Sequence, residues 1–126
     1  MKKQIKTNNA PQAIGPYNQA VISGNFIFVS GQIPLTPEGK LSGNTIEEQT
    51  KQCLVNIEGI LKEAGLGRSD IIKTTLFIKN MDDFQKVNEI YSGFFEGTVY
   101  PARSTVEVSR LPKDVLIEIE SIAAIN

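Results

Sequence analysis

Histidine is absent from this chain of 126 residues, and cysteine occurs once. Without histidine there is no Ser-His-Asp triad, no Cys-His dyad and no imidazole to hold a metal. Cys53 alone allows neither an internal disulfide nor a cysteine-pair zinc site. No glycine-rich phosphate loop of the Walker or dinucleotide type occurs. An excess of either charge is also missing, because 13 Lys and Arg face 14 Asp and Glu, for a formal net charge of -1 and an isoelectric point near 5.5. No basic stripe of the kind that follows a phosphate backbone is visible, so no nucleic-acid partner is expected. No apolar run approaches the ~20 residues that cross a bilayer, and no membrane partner is expected either. Met1-Lys2-Lys3 has the charge of a secretory leader, but Gln4, Lys6, Asn8 and Asn9 follow where an apolar core belongs. The expectation is a cytosolic protein. Any catalysis must come from carboxylates, arginine, tyrosine, hydroxyls and backbone groups.

What is present describes an ordinary globule, 40% hydrophobic and 21% charged, and residues 1–126 suit a single domain. Residues 3–7 alternate weakly, as an edge strand would. Loop residues follow as far as Gly15-Pro16, a turn that presents the Tyr17 ring either as a packing anchor or to a ligand. Residues 20–23 and 26–30 read as strands joined by a tight turn at Gly24-Asn25. The second ends in Ser30-Gly31-Gln32, where glycine marks a bulge or, less commonly, lets backbone groups approach a ligand.

Thr45 and Glu48 form a capping box that opens a helix over 46–64. Its apolar stripe includes Cys53, which is therefore read as core and not as a nucleophile. Residues 71–79 form a strand with Ile72, Thr74, Leu76 and Ile78 on one face, and 81–96 form a second helix. Asn88 interrupts the boundary of that helix's apolar side, either solvated or reaching into a cleft.

Two alternating runs, 103–108 and 115–122, flank a turn-like stretch and predict a hairpin. With Val106 and Val108 buried beside Ile117 and Val115, Thr105 falls opposite Glu118 and Arg103 opposite Glu120. The remaining face then carries a guanidinium, a hydroxyl and two carboxylates. It reads either as solvated cross-strand ion pairs or as a site in which Arg103 clamps a carboxylate and a glutamate manages a water molecule.

The order β-β-β-α-β-α-β-β predicts an α+β, two-layer domain with both helices on one face of a mixed sheet. The other sheet face, half apolar, suggests partial cover by another subunit.

Several segments together resemble one family. They are Ala13-Ile14-Gly15-Pro16-Tyr17, Ser30-Gly31-Gln32-Ile33-Pro34, residues 73–79, Asp83-Phe84 with Val87-Asn88, Pro101-Ala102-Arg103-Ser104, residues 110–114 and Ile117-Glu118-Ile119-Glu120. This is the RidA (YjgF-like) family of enamine/imine deaminases, matched over essentially the whole chain in order. The resemblance implies a chorismate-mutase-like fold and a homotrimer with inward-facing sheets and a ligand cleft at each subunit interface. It also implies hydrolysis of 2-aminoacrylate and related enamines, through their imines, to 2-oxo acids and ammonia, with neither cofactor nor metal. Such intermediates leak from pyridoxal-phosphate enzymes such as serine and threonine dehydratases. Carried over by position, Arg103 holds the substrate carboxylate and Glu118 activates the attacking water. Tyr17, Ser30, Gly31 and Asn88 line the cleft from the adjoining subunit. Thr105 departs from the pattern, since many members have cysteine there, and is expected to alter substrate range or rate. The competing readings are a non-catalytic module that senses 2-oxo acids and a ribonuclease or translation inhibitor. The acidic balance counts against the last.

Overall fold

A computed structural model describes all residues, Met1–Asn126. Six strands, β1 (Lys3–Ile5), β2 (Ala20–Ser23), β3 (Phe26–Gln32), β4 (Ile71–Ile78), β5 (Ala102–Glu107) and β6 (Ile117–Ala124), form one sheet. The helices α1 (Ile46–Glu63) and α2 (Phe84–Phe95) pack on one face of it. The element order and the α+β two-layer class agree with the sequence pattern. α1 begins where expected, with the Thr45 hydroxyl accepting from the Glu48 amide at 3.1 Å in a complete capping box. Its stripe of Cys53, Leu54, Ile57, Ile60 and Leu61 is fully buried against Leu76 and Ile78 of β4 and Ile117 and Ile119 of β6. Val87, Tyr91, Phe94 and Phe95 of α2 complete the core.

The strand order β1-β2-β3-β6-β4-β5 overturns the predicted hairpin. β5 pairs with β4, in parallel, after a crossover through α2. β6 is inserted centrally, antiparallel to both β3 and β4. The stretch between β5 and β6 is therefore not a hairpin loop. It contains the turn Pro112–Asp114, with Lys113 and Asp114 both in the left-handed region, and carries the chain past β4. Val106 is exposed and does not lie beside Ile117.

A second, local correction concerns β4. A bulge opposite β6 between Ile71 and Lys73 shifts the alternation, so Ile71 takes the buried place and Ile72 is exposed. Thr74, Leu76 and Ile78 face the core as expected.

Candidate functional site

Arg103 lies opposite Thr74 of β4. Paired residues of neighbouring strands share a face, so its side chain rises toward the helices with that of Thr74. There its guanidinium carbon sits 4.8 Å from the Tyr91 ring centre and 5.4 Å from that of Phe84. The faces of two rings hold the cation without neutralising it. The chain's two ion pairs, Arg68–Glu58 and Arg110–Asp114, leave Arg103 without a carboxylate partner. Around it is a cavity of about 340 Å³ lined by Asn88, Tyr91, Ser92, Tyr100 and Pro101. The Tyr91 hydroxyl is 2.7 Å from that of Thr74. Burial pushes its phenol pKa up, against the opposing pull of Thr74 and Arg103. Thr105 pairs with Leu76, on the same face as Arg103. Its Oγ1 and the Asn88 Oδ1 are both buried without a hydrogen-bond partner. An orphaned buried polar atom costs roughly 1–3 kcal/mol, and of these two residues Asn88 lines the Arg103 cavity, where a ligand could complete it.

Glu118 lies elsewhere. Ile117 and Ile119 point into the core, so alternation sends Glu118 and Glu120 to the opposite sheet face. They line a cavity of about 510 Å³ with Tyr17, Ser30, Gly31, Ile33 and Pro112. The bulge expected at the end of β3 is present between Val29 and Gln32 and brings Gly31 against Glu118. A Cβ on Gly31 would fall 2.1 Å from Glu118 Oε2, so glycine is needed for space and not for backbone freedom. Ser30 Oγ donates to the Asn18 carbonyl at 2.6 Å, and the Tyr17 hydroxyl accepts from the Ile14 amide at 3.4 Å. The first ties the loop before β2 to β3, and the second closes that loop on itself. Burial, and then the charge of Glu120, hold the Glu118 carboxyl above its ordinary pKa.

The candidate residues thus fall into two groups on opposite faces of one sheet. Arg103, Thr105 and Asn88 form one. Glu118, Tyr17, Ser30 and Gly31 form the other. The expected shared face of Arg103, Thr105 and the two glutamates is corrected, because β4 separates β5 from β6 and the register alternates them. Asn88 is also reassigned, since it borders Arg103 and not Tyr17. Tyr91, on the apolar side of α2, was not among the expected site residues, yet it lines the Arg103 cavity. Its place three residues after Asn88, on the same helical face, was the available signal. Pro112, which walls the Glu118 cavity, carried no separate signal. No group of three or more His, Cys, Asp or Glu is arranged to hold a metal ion. No helix is long and apolar enough to cross a membrane.

Residues 7–125 match the model of a family described as endoribonuclease L-PSP. A RutC family protein of Pyrococcus horikoshii is 55% identical over 124 residues, 98% of both chains. The 2-iminobutanoate/2-iminopropanoate deaminase of Escherichia coli is 51% identical over 125 residues, again 98% of both. The crystal structure of Escherichia coli TdcF with bound serine superposes with a TM-score of 0.94 at 46% identity, covering 98% of this chain and 99% of that one.

Proposed function

The chain belongs to the endoribonuclease L-PSP family, that of the YjgF/RidA proteins, and from this premise we propose that it is a 2-iminobutanoate/2-iminopropanoate deaminase. It hydrolyses 2-imino acids and their enamine tautomers, of the 2-aminoacrylate type, to 2-oxo acids and ammonia. The observation that carries the reading is the unpaired Arg103 guanidinium, stacked on two rings at the edge of a cavity and free to bind a carboxylate. The bound serine of TdcF is a small amino acid of the size and charge such a cavity suits.

The reaction uses two copies of the chain. Arg103 and Glu118 occupy opposite faces of one sheet and cannot reach one small molecule together, so the clamp of one copy meets the base of another. The face that carries Glu118 also leaves Phe26, Phe28 and Val106 44, 46 and 43% exposed, an apolar surface suited to a second copy in the homotrimer. At the joined site Arg103 fixes the carboxylate of the imine. Glu118 takes a proton from water as its oxygen bonds to C2, and the C=N π pair moves to nitrogen. Glu118 returns the proton to that nitrogen, giving a carbinolamine. It then takes the hydroxyl proton as the oxygen pair forms C=O and the C–N bond breaks, and passes it to the departing nitrogen, which leaves as ammonia. The imine carbon beside a carboxylate is already electrophilic, so positioning and one proton relay supply the acceleration. No cofactor enters the scheme. Asn88 and Thr105, with their orphaned oxygens, line the clamp, and Tyr17, Ser30 and Gly31 line the base.

The test is a coupled assay in which a dehydratase generates 2-aminoacrylate from serine and pyruvate release is followed. The protein accelerates release, and Arg103→Ala lowers that acceleration by about 100-fold or more. No acceleration by a folded, assembled protein overturns the reading. A ribonuclease activity, which the family's description names, would survive Arg103→Ala unchanged.

A further inference from the structure

Glu120 stands two residues from Glu118 along β6, about 7 Å away at the Cα atoms by strand geometry. Both side chains enter the same cavity. Across β4 their neighbours are Phe77 beside Glu118 and Thr75 beside Glu120. From β3 the neighbours are Phe28 and Ser30, and from the loop before β2, Tyr17. Behind the strand, α1 contributes the buried Cys53, whose thiol donates to the Ile117 carbonyl and is pushed up mainly by burial. The cation on this side of β4 is Lys73, and its ammonium is engaged by the Ser104 hydroxyl and the Thr74 carbonyl. Neither glutamate takes part in an ion pair.

Within one copy, two carboxylates are therefore held side by side with no cation between them, and in the joined site the Arg103 of another copy is engaged by the carboxylate of the imine. From this arrangement we infer that Glu120 acts through Glu118, as the second carboxylate that sets the acidity at which Glu118 is available as a base. The inference rests on the deaminase reading for the task of Glu118, but not for the pairing itself.

The physical argument concerns the proton. A cation beside Glu118 would stabilise the carboxylate and weaken it as a base. A second carboxylate does the reverse. When Glu118 takes the water proton, the repulsion from Glu120 is relieved, which favours attack on C2. When Glu118 returns that proton to nitrogen, the repulsion is restored, and the residue is ready for another cycle. Glu120 does not touch the reacting atoms and is a positioning residue in this sense. The charge of Glu120 already contributes to the upward displacement of Glu118.

The deciding experiment is a carbon-13 NMR titration of the glutamate carboxyls in the whole protein, wild type against Glu120→Gln and Glu120→Asp. In Glu120→Gln the midpoint of Glu118 falls by roughly half a pH unit, the size of a Coulomb interaction across partly solvated space. In Glu120→Asp most of the wild-type midpoint is kept. The acidic limb of kcat/KM moves by the same amount, with a lower plateau and an unchanged KM. An unmoved Glu118 midpoint in a folded Glu120→Gln protein overturns the inference. A moved midpoint in a protein that shows no deaminase turnover upholds the pairing and overturns the deaminase reading instead.

Discussion

Glu118, the proposed base, sits in a partly buried place, and the protein bears a stability cost for that. Its pKa is raised on folding, by burial first and by Glu120 second. The folded state therefore holds the proton more tightly than the unfolded chain. The stability this group contributes is fully present below the unfolded pKa, near 4.5, and is lost as pH rises through the folded value. Glu118→Gln, which cannot ionise, is expected to be more stable than wild type in urea at pH 7 and no more stable at pH 3. A variant less stable than wild type at pH 7 would contradict the burial argument. Gly31 addresses the same carboxylate from the other side. In Gly31→Ala the new methyl displaces Oε2, and the misplaced base is expected to lower kcat by about 100-fold while the far-ultraviolet spectrum is retained. Wild-type kcat in that variant would mean that the carboxylate has room to move.

α1 shows why some elements were legible and others were not. Its start, its buried stripe and its end were written in Thr45, Glu48 and the spacing of Ile46, Cys53, Ile57, Ile60 and Leu61. Thr45→Ala is expected to cost about 1 kcal/mol in chemical denaturation, because the Glu48 amide loses its acceptor. A change below a few tenths would mean that the first turn is held by packing alone. Two polar residues of the same helix were not legible. Gln49 accepts from the Leu116 amide, and Asn56 donates to the Ile33 and Leu35 carbonyls, the latter at 2.8 Å. The Asn56 bonds tie the loop after β3, and with it Ile33 of the Glu118 cavity, to the helix, and the Gln49 bond ties the stretch before β6. Their partners lie 67, 23 and 21 residues away, beyond any local pattern. β4 failed differently, since one bulge residue moved Ile72 to the exposed face while the alternation beyond it held.

The assembly makes its own prediction. If each site takes Arg103 from one copy and Glu118 from another, two inactive variants should rescue one another. Arg103→Ala and Glu118→Gln, mixed in equal amounts through dissociation and reassembly, are expected to regain about a quarter of wild-type turnover. A mixed trimer restores one site in three, and three trimers in four are mixed. No rescue, with exchange verified by mass, would mean that both residues serve a site within one copy. The opposite faces of the sheet make that outcome hard to build.

Composition and local pattern determined the class of this protein. Arg103 and Glu118 were singled out by the family resemblance, whereas composition and pattern specified the element order, the two helices and their buried stripes, and the lack of thiol-pair or imidazole chemistry. Those are properties of short spans, set by periodicity, capping and side-chain type. Only the tertiary structure decided that β6 enters the sheet between β3 and β4 while β5 pairs in parallel at its edge. Adjacent runs in sequence look like a hairpin, and strand partners separated by a helix leave no local trace. That one choice of neighbour put Arg103 and Glu118 on opposite faces. It moved Asn88 to the arginine and left Glu120 as the partner of Glu118.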